Sequence, residues 1–232
     1  MSIGRKITVI IVAAGSGSRF GGPLPKQFCQ IEGRPAVMRA IDNLRRALPD
    51  ADYIIVLSAT QIEHWNYLCN LHNFDSPCIV AGGDTRSQSV SNAMPFVSTG
   101  ESDIVLVHDG ARPFPSVAMI DELVAAFDDD AVEGALPVVP VTDSIRDVSG
   151  PVSVAVDRSK FRAVQTPQAF RAALLAEAYL RSDDGVFTDD ASVMEAAGYR
   201  NLVLVNGSPT NFKVTNPADI AIAEAVLAFG AV

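Results

Sequence analysis

The sequence is short of cysteine, of cations and of long apolar runs, and each shortage removes a class of protein. Its three cysteines, Cys29, Cys69 and Cys78, are odd in number and widely spaced, with no Cys-x-x-Cys or Cys/His cluster. A disulfide scaffold and a zinc module are disfavoured, and reduced thiols in a cytoplasmic protein are expected. The 18 Lys and Arg are outnumbered by 27 Asp and Glu, giving a formal net charge of −9. Non-specific binding along a nucleic-acid backbone needs the opposite balance. The first apolar stretch, Ile7 to Ala14, is too short to span a bilayer and ends in glycines, so neither secretion nor membrane insertion is expected.

What is present is material for a core. With 48% hydrophobic and 19% charged residues, the chain is too apolar for disorder. Apolar runs of strand length fall at Ile7–Ala13, Tyr53–Ser58, Cys78–Ala81, Asp103–His108 and Gly134–Val141. Amphipathic stretches at Pro35–Leu48, Thr60–Leu71, Arg86–Val97 and Ser116–Phe127 alternate with them and predict helices, Pro35 suiting a first helical turn. Uncharged β-branched runs such as Ile54-Ile55-Val56 belong in a sheet covered on both faces. The alternation predicts an α/β fold with an open, mainly parallel sheet, whose crevice lies beyond the carboxyl ends of the strands.

From Val141 the pattern changes. Asp143 to Val148, a Ser149-Gly150-Pro151 turn, and Val152, Val154 and Val156 on alternate positions predict an inserted β-hairpin arm at about 141–162. A lone two-stranded arm with a valine face is marginal in water, so the face either meets a partner or folds onto its own domain. Beyond it the pattern predicts helices near Phe170–Arg181 and Asp190–Ala197, a strand at Asn201–Val205 and a closing helix from Pro217 to Phe229. No repeat or linker interrupts residues 1–232, and one domain with a protruding arm is the simplest account.

The strongest chemical signal is Ala13-Ala14-Gly15-Ser16-Gly17-Ser18-Arg19, followed by Pro25-Lys26-Gln27. Glycines let main-chain N–H groups approach an anion, and Arg19 and Lys26 add cationic partners. The segment is neither a dinucleotide fingerprint, because Phe20 stands where the third glycine is needed, nor a P-loop, because Pro23 replaces the lysine.

Together with Val107-His108-Asp109-Gly110-Ala111-Arg112-Pro113, Val156-Asp157-Arg158, Gln165-Thr166-Pro167-Gln168, Thr188-Asp189-Asp190-Ala191-Ser192 and Phe212-Lys213-Val214-Thr215, that segment resembles nucleotidyltransferases that join a sugar phosphate to a nucleotide. Within them the order and spacing are similar to the 2-C-methyl-D-erythritol 4-phosphate cytidylyltransferases of non-mevalonate isoprenoid synthesis. The resemblance implies a Rossmann-like domain of the nucleotide-diphospho-sugar transferase type. Its activity would be transfer of CMP from CTP to methylerythritol 4-phosphate, with Mg²⁺ as cofactor and pyrophosphate as the second product.

The resemblance also implies roles. Arg19 and Lys26 would be catalytic, neutralising the triphosphate and the pentacoordinate transition state. Ala13, Ala14, Gly15, Gly17, Gly83, Asp84, Ser89 and Gly110 would bind the nucleotide, and Asp109, Arg112, Arg158, Thr188 and Lys213 the sugar phosphate. Ligands to the metal are left unassigned. The arm would cross to a second subunit and complete its site, making a homodimer.

The residues carry plainer meanings as well: Asp109 as a capping carboxylate paired with Arg112, Thr188 as the cap of the next helix, and His108 as a structural imidazole. A ribitol-5-phosphate cytidylyltransferase is the nearest rival, which the Gly21-Gly22-Pro23-Leu24-Pro25 insert somewhat resembles. A non-catalytic nucleotide-binding module is the rival from another class.

Overall fold

The computed structural model describes residues 5–15, 25–181 and 187–230. In chain order the elements are β1 (Ile7–Val12), β2 (Gln30–Ile31), β3 (Arg34–Pro35), α1 (Ala36–Ala47), β4 (Asp52–Leu57), α2 (Ile62–His72), β5 (Cys78–Ala81) and α3 (Arg86–Ala93). They continue with β6 (Ile104–Asp109), α4 (Val117–Ala125), β7 (Gly134–Pro140), β8 (Ile145–Asp147), β9 (Val154–Val156), β10 (Arg162–Val164) and β11 (Gln168–Arg171). Last come α5 (Ala172–Arg181), α6 (Asp190–Ala196), β12 (Leu202–Asn206) and α7 (Ala218–Ala228).

Eight strands form one sheet. From one edge β5, β4, β1 and β6 run parallel; β10 and β11 then lie antiparallel along one side of β7, and β12 pairs parallel on its other side. The period of two along each central strand divides the core. Val9, Ile11, Ile55 and Leu106 face α1, α2 and α4. Ile10, Val56, Val105 and Val107 face α3, α5 and α6. Covering both faces is why these runs carry no charge. The last helix, α7, packs Ala223 against Ile31, Phe114 and Val214.

Helix starts follow their caps. Ser116 accepts from the Met119 N–H and Thr85 from the Gln88 N–H, which fixes the first turns of α4 and α3. Pro95 closes α3 early, in a 3-10 turn at Met94–Phe96 short of the expected Val97.

Pro35 is the residue before α1 rather than inside it, with ψ 138° and a place in β3. The helix expected from Phe170 starts at Ala172. Residues 168–171 instead form an antiparallel strand between β6 and β7, with Ala169 and Phe170 buried by the neighbours on either side. An alanine-rich run offers helix propensity, and two flanking strands override it.

The hairpin is present as β8 and β9, paired antiparallel and hydrogen-bonded as a sheet of their own.

Candidate active site

The chain goes from β1 to β4 and β5 on one side, then returns to place β6 on the other side of β1. That reversal opens a crevice beyond the carboxyl ends of β1 and β6, the usual ligand position in an open α/β sheet. Val12 is opposite Asp109 in register, and the Gly110 N–H donates to the Val12 carbonyl at 2.9 Å. Ala13 to Gly15, the start of the Gly-rich segment, and Asp109 therefore share one mouth.

Two glycines allow the backbones to meet there. A Cβ on Gly82 would lie 2.5 Å from the Ala14 Cβ and 2.9 Å from the Ser89 hydroxyl, so any larger residue would push the loop after β5 away from the loop after β1. A Cβ on Gly110 would come within 3.2 Å of the Ala13 Cβ. Gln27 holds the same loop from the other side: its buried amide donates to the carbonyls of Ala13 at 2.7 Å and Gly15 at 2.9 Å. This explains Pro-Lys-Gln as a unit, because the turn that carries Lys26 is anchored to the Gly-rich segment through the next residue.

Asp109, the last residue of β6, is the electrostatic centre. Its Oδ2 lies 2.8 Å from Lys213 Nζ and 3.6 Å from Arg112 Nε, and its Oδ1 lies 3.7 Å from Arg86 Nε. Burial pushes the carboxyl pKa up, but Lys213, Arg86 and Arg112 outweigh it and hold the group well below the usual carboxylate range. Asp109 is an anion at any working pH. Arg86 continues to the fully buried Asp190, 2.6 Å away, whose other oxygen accepts from the Tyr179 hydroxyl at 2.6 Å. Burial opposes the Arg86 charge, yet Asp190 and then Asp109 raise its pKa above the ordinary value.

A neutral network supports this centre. The Asp109 N–H donates to Thr166 Oγ1 at 3.0 Å, and that hydroxyl lies 3.2 Å from His108 Nδ1. His108 Nε2 faces the Arg112 carbonyl at 2.9 Å, which makes Nε2 the protonated nitrogen and Nδ1 the acceptor. Burial lowers the imidazole pKa to about 4. His108 is the structural imidazole expected. Arg112 donates to the Asn211 carbonyl at 2.9 Å, and the Val214 N–H donates to the Ala111 carbonyl at 2.9 Å. The segment bearing Lys213 is thereby pinned beside Asp109.

The structure brings together Ala13, Ala14, Gly15, Gly110, Asp109, Arg112 and Lys213 at one mouth. Across the loop after β5, the Ser89 hydroxyl donates to the Thr85 carbonyl at 2.9 Å and accepts from the Gly83 N–H at 3.2 Å. Asp84 is exposed, and its N–H donates to Gln88 Oε1 at 2.9 Å. Arg19 and Gly17 lie outside the described residues. Arg158 stands apart: exposed at the base of the arm, it hydrogen-bonds the Thr142 carbonyl.

Thr188 is exposed and does not cap α6. Asp189 does, accepting from the Ser192 N–H in a reciprocal capping box. The better acceptor lies one residue closer to the helix, which leaves the Thr188 hydroxyl outside the cap. Thr166, Gln168 and Asp190 fell within the motif segments, but nothing in their local pattern marked them as the supports of Asp109 and Arg86.

An open α/β sheet with the start of a glycine-rich segment and a cation-ringed carboxylate at its reversal point has the arrangement of a nucleotidyltransferase site. Residues 7–228 match the family model described as 2-C-methyl-D-erythritol 4-phosphate cytidylyltransferase. The chain belongs to that family. Curated members with that name from Phocaeicola vulgatus, 41% identical over 94% of this chain and 98% of the relative, and from Chromobacterium violaceum, 40% identical over 94% and 96%, are among its relatives. The crystal structure of the Thermus thermophilus 2-C-methyl-D-erythritol 4-phosphate cytidylyltransferase is 31% identical and superimposes with a TM-score of 0.71 over 94% of this chain and 98% of that one.

Proposed function

We propose that the protein transfers CMP from CTP to the 4-phosphate of 2-C-methyl-D-erythritol 4-phosphate. The observation that carries the reading is Asp109 at the end of β6, ringed by Lys213, Arg112 and Arg86 and set beside Ala13 to Gly15, in a chain whose residues 7–228 match the family. One oxygen of the 4-phosphate attacks the α-phosphorus of CTP. The bond from that phosphorus to the bridging oxygen breaks, and pyrophosphate leaves with the electron pair. The second pKa of a phosphate monoester is about 6, so the nucleophile is already anionic and no general base is required. The task of the protein is to gather cations and hold the two phosphates in line. Lys26 and Arg19 serve the triphosphate and the transition state; Lys213 and Arg112 serve the sugar-phosphate side; Asp109 accepts from substrate hydroxyls.

Among the described residues no group of three or more His, Cys, Asp or Glu could hold a metal ion. Asp109 is engaged by cations of the protein itself; Mg²⁺ would be supplied with CTP, where it would offset the charge of the triphosphate. The valine face of the arm is covered by a second copy of this chain, which receives Arg158 into its site. The three thiols are unpaired, in keeping with a cytoplasmic enzyme. No helix among the described residues is long and apolar enough to cross a membrane.

The test is pyrophosphate release from Mg²⁺–CTP with methylerythritol 4-phosphate and, separately, with ribitol 5-phosphate. Far faster turnover with methylerythritol phosphate is expected. The reverse preference refutes the substrate, and no turnover with either points to a binding module.

A further inference from the structure

We propose that Asp190 is a positioning residue: it holds Arg86 off Asp109 and ties the start of α6, next to Thr188, to the start of α3, next to the loop of Gly83 and Asp84. The inference rests on the function proposed above, because it assigns how that crevice keeps its shape. Asp190 is completely buried, with Oδ2 2.6 Å from Arg86 Nη2 and Oδ1 accepting from the Tyr179 hydroxyl at 2.6 Å. The N–H groups of Asp190 and Ala191 both donate to Gln168 Oε1 at 3.1 Å, and Gln168 Nε2 donates to Asp189 at 2.9 Å. Gln168 is paired in register with Val107 on β6, two residues before Asp109. The start of α6 is thus bolted to the strand that ends in Asp109.

The distances decide which carboxylate holds the guanidinium. Arg86 reaches Asp190 at 2.6 Å and Asp109 at 3.7 Å, the difference between a charge-assisted hydrogen bond and attraction across a gap. A fully buried carboxylate also competes better for a cation than one at the mouth of a crevice, since water screens the second. Asp109 Oδ2 has Lys213 at 2.8 Å and Arg112 at 3.6 Å, whereas Oδ1 faces Arg86 across the longer gap. Oδ1 is the oxygen left able to accept from a substrate hydroxyl. Without the Asp190 charge, Arg86 closes onto Asp109, the carboxylate becomes paired on both sides, and α3 loses its tie to α6.

The experiment compares the wild type with Asp190→Asn, which keeps the volume and an acceptor for Tyr179, and with Tyr179→Phe, which removes one hydrogen bond to the same carboxylate. Initial rates are measured well below each unfolding midpoint, varying CTP and methylerythritol phosphate separately. Asp190→Asn is expected to lose about 10- to 100-fold in kcat/KM for methylerythritol phosphate, the cost of misplacing a positioned group. Tyr179→Phe is expected to lose about 3- to 10-fold.

An Asp190→Asn enzyme with a lowered midpoint but wild-type kcat/KM for both substrates overturns the proposal and leaves the residue a core ion pair. Should that variant fail to fold, Tyr179→Phe and Arg86→Lys decide, and unchanged kcat/KM in both overturns it. If the wild type itself does not turn over, the proposed function fails, and crystal structures separate the two ideas. Arg86 closed onto Asp109 in Asp190→Asn upholds the positioning role, and Arg86 unmoved refutes it.

Discussion

The crevice around Asp109 and the β8–β9 arm are built on opposite terms. At Asp109 the carboxylate has cations from α3, from the loop after β6 and from the segment before α7, and its main-chain N–H is fixed by Thr166. Along the arm, Val148, Val152 and Val154 are 76%, 75% and 62% exposed. The arm's side-chain hydrogen bonds, Arg146 to Ser153 and Asp147 with the Ser149 N–H, close on the arm itself. The ion-pair network at Asp109 is closed within a single chain, whereas the arm leaves its valines uncovered. Damage at the centre should therefore appear in both stability and chemistry, and damage on the arm in assembly and in one substrate's binding.

The largest effect expected is at Asp109. Asp109→Ala leaves Lys213, Arg112 and Arg86 facing one another with Asp190 as the remaining counter-ion. Breaking a buried ion pair by removing one partner costs about 3–5 kcal/mol, to be read from urea unfolding. The catalytic loss should be about 100- to 1,000-fold in kcat/KM. A variant of wild-type stability would show that the centre is less tightly coupled than its distances imply.

Lys26→Ala follows, with about a 100-fold loss carried by kcat, because its contact strengthens as charge gathers on the transferring phosphoryl group. Gln27 keeps the turn in place through Ala13 and Gly15, so stability should change little. Steady-state kinetics that moved KM alone would make Lys26 a ground-state binder.

The centre also carries a pH signature. His108 has a folded pKa lowered by burial to about 4, below the unfolded value of about 6.5. Between these values the unfolded chain binds the extra proton, so stability rises with pH across this window. The contribution is complete above pH 6.5 and is lost as pH falls towards 4. The full difference amounts to about 3 kcal/mol. Urea unfolding of the wild type against His108→Gln between pH 4.5 and 7.5 measures it, the variant being expected to show a flatter profile. The arm contains no histidine, and its variants should leave that profile unchanged.

The same contrast marks what the sequence made legible. Alternation of apolar runs located the strands that lead to Gly15, Gly82 and Asp109, because a sheet buried on both faces imposes its demands on consecutive residues. β11 was not legible. Ala169 and Phe170 resemble the start of the helix that follows, and only two flanking strands, distant in sequence, make them a strand. Asp190 was hidden for a similar reason. Next to Asp189 and Ser192 it looks like a solvated acid in the first turn of a helix, and its burial is created by Arg86 and Tyr179 from other elements. The valine face of the arm was legible, but whether it folds onto its own domain was not; the structure leaves Val148, Val152 and Val154 exposed.

The smallest effect, and the one that tests the arm, is Val154→Asp. Val154 pairs with Asp147 across the hairpin and is 62% exposed, so within one chain a carboxylate there meets water and the Asp147 carboxylate opposite. Subunit stability should fall by no more than about 1 kcal/mol, the scale of a like-charge cross-strand pair. In a dimer the same carboxylate would be buried without a partner, and association should weaken by at least tenfold, since an unpaired buried charge costs more than about 1.4 kcal/mol. Sedimentation at several concentrations reads the association. If Arg158 serves the neighbouring subunit, the KM for methylerythritol phosphate should rise about tenfold as the dimer dissociates, on the scale of one charged contact, while the KM for CTP stays near its wild-type value. A Val154→Asp protein that remains dimeric would place the interface elsewhere. One that dissociates with both KM values intact would show that each subunit carries its own phosphate-binding arginine.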